Sequence, residues 1–177
     1  MRHLALFLAC TLATPVFAGS WQVKTSVDAM TDEKTTRAYV VSEAGHRFTV
    51  ITRNYIDVWG YVKLNGKPQF APGQPVKIRI DKNNPVKYSD ELDTLNEKLG
   101  EPSHTWEWNP SLVGFRIWYE QKDAVCGTVN ELATGENLVV RYYPNNSTHR
   151  DISFSLNGSR DALARATGFD FSECTGQ

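Results

Sequence analysis

Beyond its first eighteen residues the chain has no apolar run long enough to cross a bilayer, no run of basic residues and no low-complexity tract. A membrane-spanning helix needs roughly 20 apolar residues, so no membrane span is expected. An excess of either charge is also missing, with 19 Lys and Arg set against 20 Asp and Glu. A protein that holds nucleic acid by neutralising phosphates carries a basic excess or stripe, so no nucleic-acid partner is expected. Cysteine is scarce, at three, and none forms a CxxC, which leaves a thioredoxin-like redox role without support. The histidines show no HxH or HExxH spacing, and there is no GxSxG. These gaps remove the usual signatures of zinc and serine-nucleophile chemistry, and no cofactor is expected.

What is present begins with MRHLALFLACTLATPVFA. Arg2 and His3 make a short basic start, Leu4 to Leu12 an apolar run, and Val16-Phe17-Ala18 a small-residue finish before Gly19. This is the pattern of a secretory signal peptide, residues 1–18, cleaved after Ala18. Lipidation at Cys10 is the rival reading, but Phe7-Leu8-Ala9-Cys10 is a poor lipobox. Cleavage leaves residues 19–177 as one domain of a size that can bury a real core. Losing Arg2 turns the 19 basic residues into 18, for a formal charge of −2 against 20 acids. Cys126 and Cys174 then remain, and in an oxidising compartment they fit one disulfide, two free thiols being the alternative. Closing a loop of about 49 residues contributes roughly 4 kcal/mol on the chain-entropy model.

Alternation of apolar and polar residues dominates the first half. Trp21, Val23, Thr25 and Val27 share one strand face, Tyr39 and Val41 another, followed by Phe48, Val50 and Thr52, then Ile56, Val58, Gly60 and Val62, then Val76, Ile78 and Ile80. Period-2 runs of four to nine residues mark half-buried strands, and Asn65-Gly66 is a strong tight-turn signal. The period then lengthens: Leu92, Leu95 and Leu99 fall on one helical face, with Gly100 and Pro102 ending the helix. Strands are expected around Thr105–Trp108 and Leu112–Tyr119, a short helix over Thr128–Ala133, strands at Leu138–Tyr142 and Ile152–Leu156, and a last helix over Ser159–Ala166 with Ser159 as its N-cap. The expected fold is mainly β (α+β): an antiparallel β-sandwich or small barrel with two or three short helices, one of them C-terminal.

Candidate chemistry is sparse. Asn157-Gly158-Ser159-Arg160 only superficially resembles a nucleophile turn. His46, His104 and His149 are dispersed, and Asp28, Asp32 and Glu33 lack the alternation and central Gly of a calcium loop. Glu107, between Trp106 and Trp108, and Asp57, two before Trp59, suggest the carboxylates of a glycosidase cleft. Yet Glu107 points to the opposite strand face from the two tryptophans. Tryptophans on a strand face are more often core, and Trp118 with Tyr119 fits that role as well. No catalytic set emerges, so the protein is expected not to be an enzyme.

Several stretches together resemble a family of small exported proteins associated with type VI secretion, the VasI/TagO-like periplasmic proteins. The stretches are Trp21 with Asp28-Ala29-Met30-Thr31-Asp32, Phe48-Thr49-Val50-Ile51, Val76 to Asp81 with Pro85, Leu138 to Tyr142, and Ile152 to Leu163 ending in Cys174. The resemblance implies a Gram-negative periplasmic location, a structural role for the Asp28–Asp32 turn, and an association with a secretion system. Here the family pattern's Cys after the Phe48–Ile51 strand is replaced by Thr52-Arg53. The expectation is an exported, non-enzymatic domain that binds a protein or cell-envelope partner. The alternative is a glycan- or peptidoglycan-binding module with Trp59, Trp106 and Trp108 as ligand-stacking rings.

Overall fold

The computed structural model describes residues 19–53, 57–88, 107–119 and 127–174. The leader, the Leu92–Leu99 helix, Ile56, His104, Trp106 and Cys126 lie outside the described residues. Ten strands and two α-helices are described: β1 Gln22–Val27, β2 Lys34–Val41, β3 Arg47–Arg53, β4 Asp57–Lys63, β5 Val76–Ile80, β6 Val86–Tyr88, β7 Glu107–Asn109, β8 Leu112–Tyr119, α1 Gly127–Thr134, β9 Asn137–Tyr142, β10 Arg150–Ser155 and α2 Ser159–Thr167. A 3₁₀ turn, Phe171–Cys174, follows. No described helix is long and apolar enough to cross a membrane.

The strands form two antiparallel sheets, one of six strands in the order β1-β2-β3-β4-β8-β7 and one of four in the order β10-β9-β5-β6. Of the sandwich and the barrel, the structure has the open, sandwich-like arrangement, since neither sheet closes on itself. β1 to β4 run as the expected meander. The Asn65–Gly66 turn has a different use from a hairpin. It starts a crossover to the second sheet, held by Leu64 N–H on the Ser111 carbonyl, Phe70 N–H on Pro110 and Ala71 N–H on Tyr143, each 2.8 Å.

One buried cluster unites the layers. Ala38, Val40, Phe48, Val50, Val58, Val62, Val113 and Phe115 come from the large sheet, Ile78, Ile80, Leu138, Val140, Ile152 and Phe154 from the small one. Val129 and Leu132 of α1, and Ala162, Leu163 and Ala166 of α2, complete it. α2 packs on β2 and β3, and α1 on β8 and α2. At Gly60 an added Cβ would lie 3.0 Å from the Phe115 ring and 3.2 Å from Phe48, so glycine leaves room for both rings over β4. Opposite the Val58/Trp59 step β8 bulges, which turns Trp118 onto the core side, edge-on to Phe169 with centroids 4.7 Å apart.

The start of α2 departs from expectation. Its N-cap is Gly158, at φ 79°, and no side chain caps it. The strand must reverse within the turn closed by Ser159 N–H on the Leu156 carbonyl at 2.9 Å. The left-handed backbone this needs suits glycine, so Ser159 is pushed into the first helical position. There it is buried, its Oγ without a hydrogen-bond partner among the described residues. Gly168, at φ 77°, ends the helix by donating to Ala164. Cys174 is half-buried and packs against the core cluster.

Candidate functional site

Asp28 in the acidic turn after β1 accepts the Met30 and Thr31 amides at 2.7 and 3.0 Å. Its own N–H donates to Glu33 and its carbonyl receives Asp32 N–H, both at 2.9 Å. These backbone bonds hold the Asp28 carboxyl below the usual carboxylate range. The carboxylate is engaged in shaping a turn whose tip presents Met30, 92% exposed. Among the described residues no three of His, Cys, Asp and Glu gather in a way that could hold a metal ion.

Two other regions have organised chemistry. The first is the face of the six-stranded sheet turned away from the core. Side chains directly opposite one another in an antiparallel pair share a face, and the register therefore defines rows. One row runs Lys24, Arg37, Ile51, Trp59, Arg116; the next runs Gln22, Tyr39, Thr49, Tyr61, Gly114; Arg47 stands opposite Lys63. With Arg53 added, the positions of this parity include Lys24, Arg37, Arg47, Arg53, Lys63 and Arg116, with Asp57 and Glu107 as the acids. Lys24, Arg47 and Lys63 are exposed.

Aromatic rings sit between these cations. The Arg47 guanidinium is 4.9 Å from the centre of the Tyr39 ring. Arg53 is 4.5 Å from the centre of Trp59 and 5.4 Å from that of Tyr61, while Trp59 and Tyr61 stack on each other. Such contacts hold guanidinium groups in place over an aromatic base. Tyr61 lies over Gly114, where a Cβ would come within 2.5 Å of its ring. Two N–H groups on the same row, Arg37 Nε and Trp59 Nε1, are buried without an acceptor among the described residues.

The tryptophans expected to stack on a ligand are placed as follows. Trp59 is only 3% exposed, with Arg53 and Tyr61 against its ring, so it offers no open face to a sugar. Trp108 lies in β7, and Trp106 is outside the described residues. Trp118 is buried in the core, as expected of it. Asp57 meets Arg116 at 3.3 Å, both side chains largely buried. Glu107 is at the register position opposite Gly114. His149 packs near Tyr143.

The second region is a groove of about 730 Å³ between the β2–β3 turn and β10. Its charged lining is acidic, from Glu43, Glu136 and Asp151, and it includes His46 but no Lys or Arg. Asn65 N–H donates to His46 Nδ1 at 2.9 Å, and burial lowers the His46 pKa from its ordinary value. Asp151 is held by Arg141, whose Nε and second terminal nitrogen lie 2.8 and 2.7 Å from its two oxygens, and this pair lowers the Asp151 pKa.

The basic face was not singled out among the candidate residues, and the signal for it lay in the polar positions of the strands. In β1 to β4 those positions repeatedly carry Lys or Arg. Only the pairing shows that they converge on one surface.

Comparison with protein-family models, with curated proteins and with solved structures found no match for this chain.

Proposed function

We propose that this is an exported, non-enzymatic binding domain that holds an anionic polymer of the cell envelope on the outer face of its six-stranded sheet. The observation that carries the reading is the direct opposition of like charges, Lys24 to Arg37 and Arg47 to Lys63. Like charges directly across an antiparallel pair destabilise it, and an anion lying over them relieves that repulsion. Arg37 and Arg47 are suited to the task because a guanidinium binds phosphate or carboxylate through two parallel hydrogen bonds. The location in the periplasm, and the secretion-system association implied by the resemblance, belong to this same proposal.

The test is binding of the purified protein to sodium polyphosphate and to isolated peptidoglycan across a salt series. Salt-dependent binding that falls at least tenfold in Lys24→Glu/Lys63→Glu supports the reading. No binding to either polyanion at low ionic strength overturns it. A neutral-glycan module has less support, because Arg53 and Tyr61 already occupy the Trp59 ring.

A further inference from the structure

We propose that the groove along β10 is a strand-addition site for an extended, lysine- or arginine-bearing segment of a partner protein. Among the described residues β10 ends the four-stranded sheet and pairs only with β9. The direction of its backbone groups follows from four contacts. Trp21 Nε1–H donates to the Ser155 carbonyl at 2.9 Å, so that carbonyl points away from β9. Its cross-strand neighbour Asn137 agrees, turning its carbonyl to Asp81 N–H and its N–H to the Asp81 carboxylate. One residue on, Leu156 N–H does bond the Glu136 carbonyl at 2.9 Å.

In an antiparallel strand the N–H and C=O of one residue point the same way and alternate along the chain. Ile152 and Phe154 therefore serve β9, while Asp151 and Ser153 direct their backbone donors and acceptors to the open edge. Both residues are exposed and both line the groove.

Open edges are commonly blunted by proline, a bulge or lysine. Arg150–Ser155 has no proline, and it pairs with β9 in unbroken register. At its end the chain itself supplies a partner, through Trp21. The remaining edge offers four main-chain hydrogen bonds to an added strand, the mode in which backbone bonds give affinity and alternate side chains give specificity.

Charge selects the occupant. Glu43 and Glu136 face the groove without a Lys or Arg in its lining, Asp151 is shared with Arg141, and His46 accepts the Asn65 N–H on its Nδ1. A second copy of this chain adding its own β10 would bring these acids against each other, whereas an added strand with lysine at alternate positions meets them with opposite charge.

The experiment titrates the purified protein with two end-blocked peptides, Lys-Val-Lys-Val-Lys and Glu-Val-Glu-Val-Glu, and follows amide hydrogen exchange. Binding of the lysine peptide, with slowed exchange at Asp151 and Ser153, is expected. Ser153→Pro removes one outward N–H and leaves the β9 pairing intact, so it should lower affinity at least tenfold. Glu43→Lys/Glu136→Lys, which leaves the strand untouched, should reverse the preference between peptides. Equal binding of both peptides, binding without protection of β10, or no binding of the lysine peptide overturns the proposal. So does a concentration-dependent dimer that protects the β10 amides with no peptide present. Polyphosphate binding on the other face is measured separately, so either reading can fail alone.

Discussion

On the outer face of the large sheet Lys24 stands opposite Arg37 and Arg47 opposite Lys63; along β10, Glu43, Glu136 and Asp151 line a groove with no lysine or arginine among its described lining residues. Both surfaces belong to antiparallel sheets over the same core. They differ in which backbone groups are left over. In the middle of the large sheet each strand is paired on both sides, so a ligand there can meet only side chains. At β10 one side of the ladder is unpaired among the described residues, so the backbone itself is available. A formal charge of −1 for the whole chain therefore averages two regions of opposite sign, and the local field rather than the net charge governs what each attracts.

Phe48 packs beneath β3 and reaches both Trp21 and Phe154. Phe48→Ala should cost about 3–5 kcal/mol, the usual loss for a fully buried ring, and disturb both surfaces together. A denaturation midpoint close to that of the unmodified protein would show that the regions do not share this core. Gly114→Ala acts on one region alone. Its new Cβ would come within 2.5 Å of the Tyr61 ring, so a loss of about 1–3 kcal/mol is expected, with polyanion binding weakened and the lysine peptide bound as before.

Lys24→Glu/Lys63→Glu converts two like-charge pairs into opposite ones, and should stabilise the fold by a few tenths of a kcal/mol in total at these exposed sites. Higher thermal stability with lower polyanion affinity is the outcome to look for in a melting curve; lower stability would contradict the repulsion argument. The smallest effect belongs to His46. Its folded pKa lies below the ordinary 6.5, so its contribution is present above the unfolded value and is lost as pH falls through the folded one. Melting temperature should decline more on going from pH 7 to pH 5 in the unmodified protein than in His46→Gln. Identical pH profiles would remove that assignment.

Much of the architecture was legible because period-2 alternation is a local property. Leu112–Tyr119 was read as a strand and is one, and the helix read over Thr128–Ala133 runs Gly127–Thr134. The helix start was displaced by one residue because Ser159 has good capping chemistry but the turn before it needs the backbone freedom of Gly158. Trp59 was considered as a stacking ring because aromatic and acidic residues neighbour it in sequence. The Arg53 that lies against it comes from the end of the preceding strand, β3, and no spacing in the chain announces that contact.

Local spacing alone marks most of the strands and both described helices, because those depend on neighbours two to four residues apart; it gave no sign of β6, and on β2 it marked Tyr39 and Val41 where the core takes Ala38 and Val40. It also determined that the acidic segment after β1 would turn, since Asp28 needs only amides two and three residues ahead. Pairing order and register were decided by the tertiary structure. They depend on how both sheets and two helices fill one core, and they alone bring cations from separate strands into rows and leave β10 with an open edge.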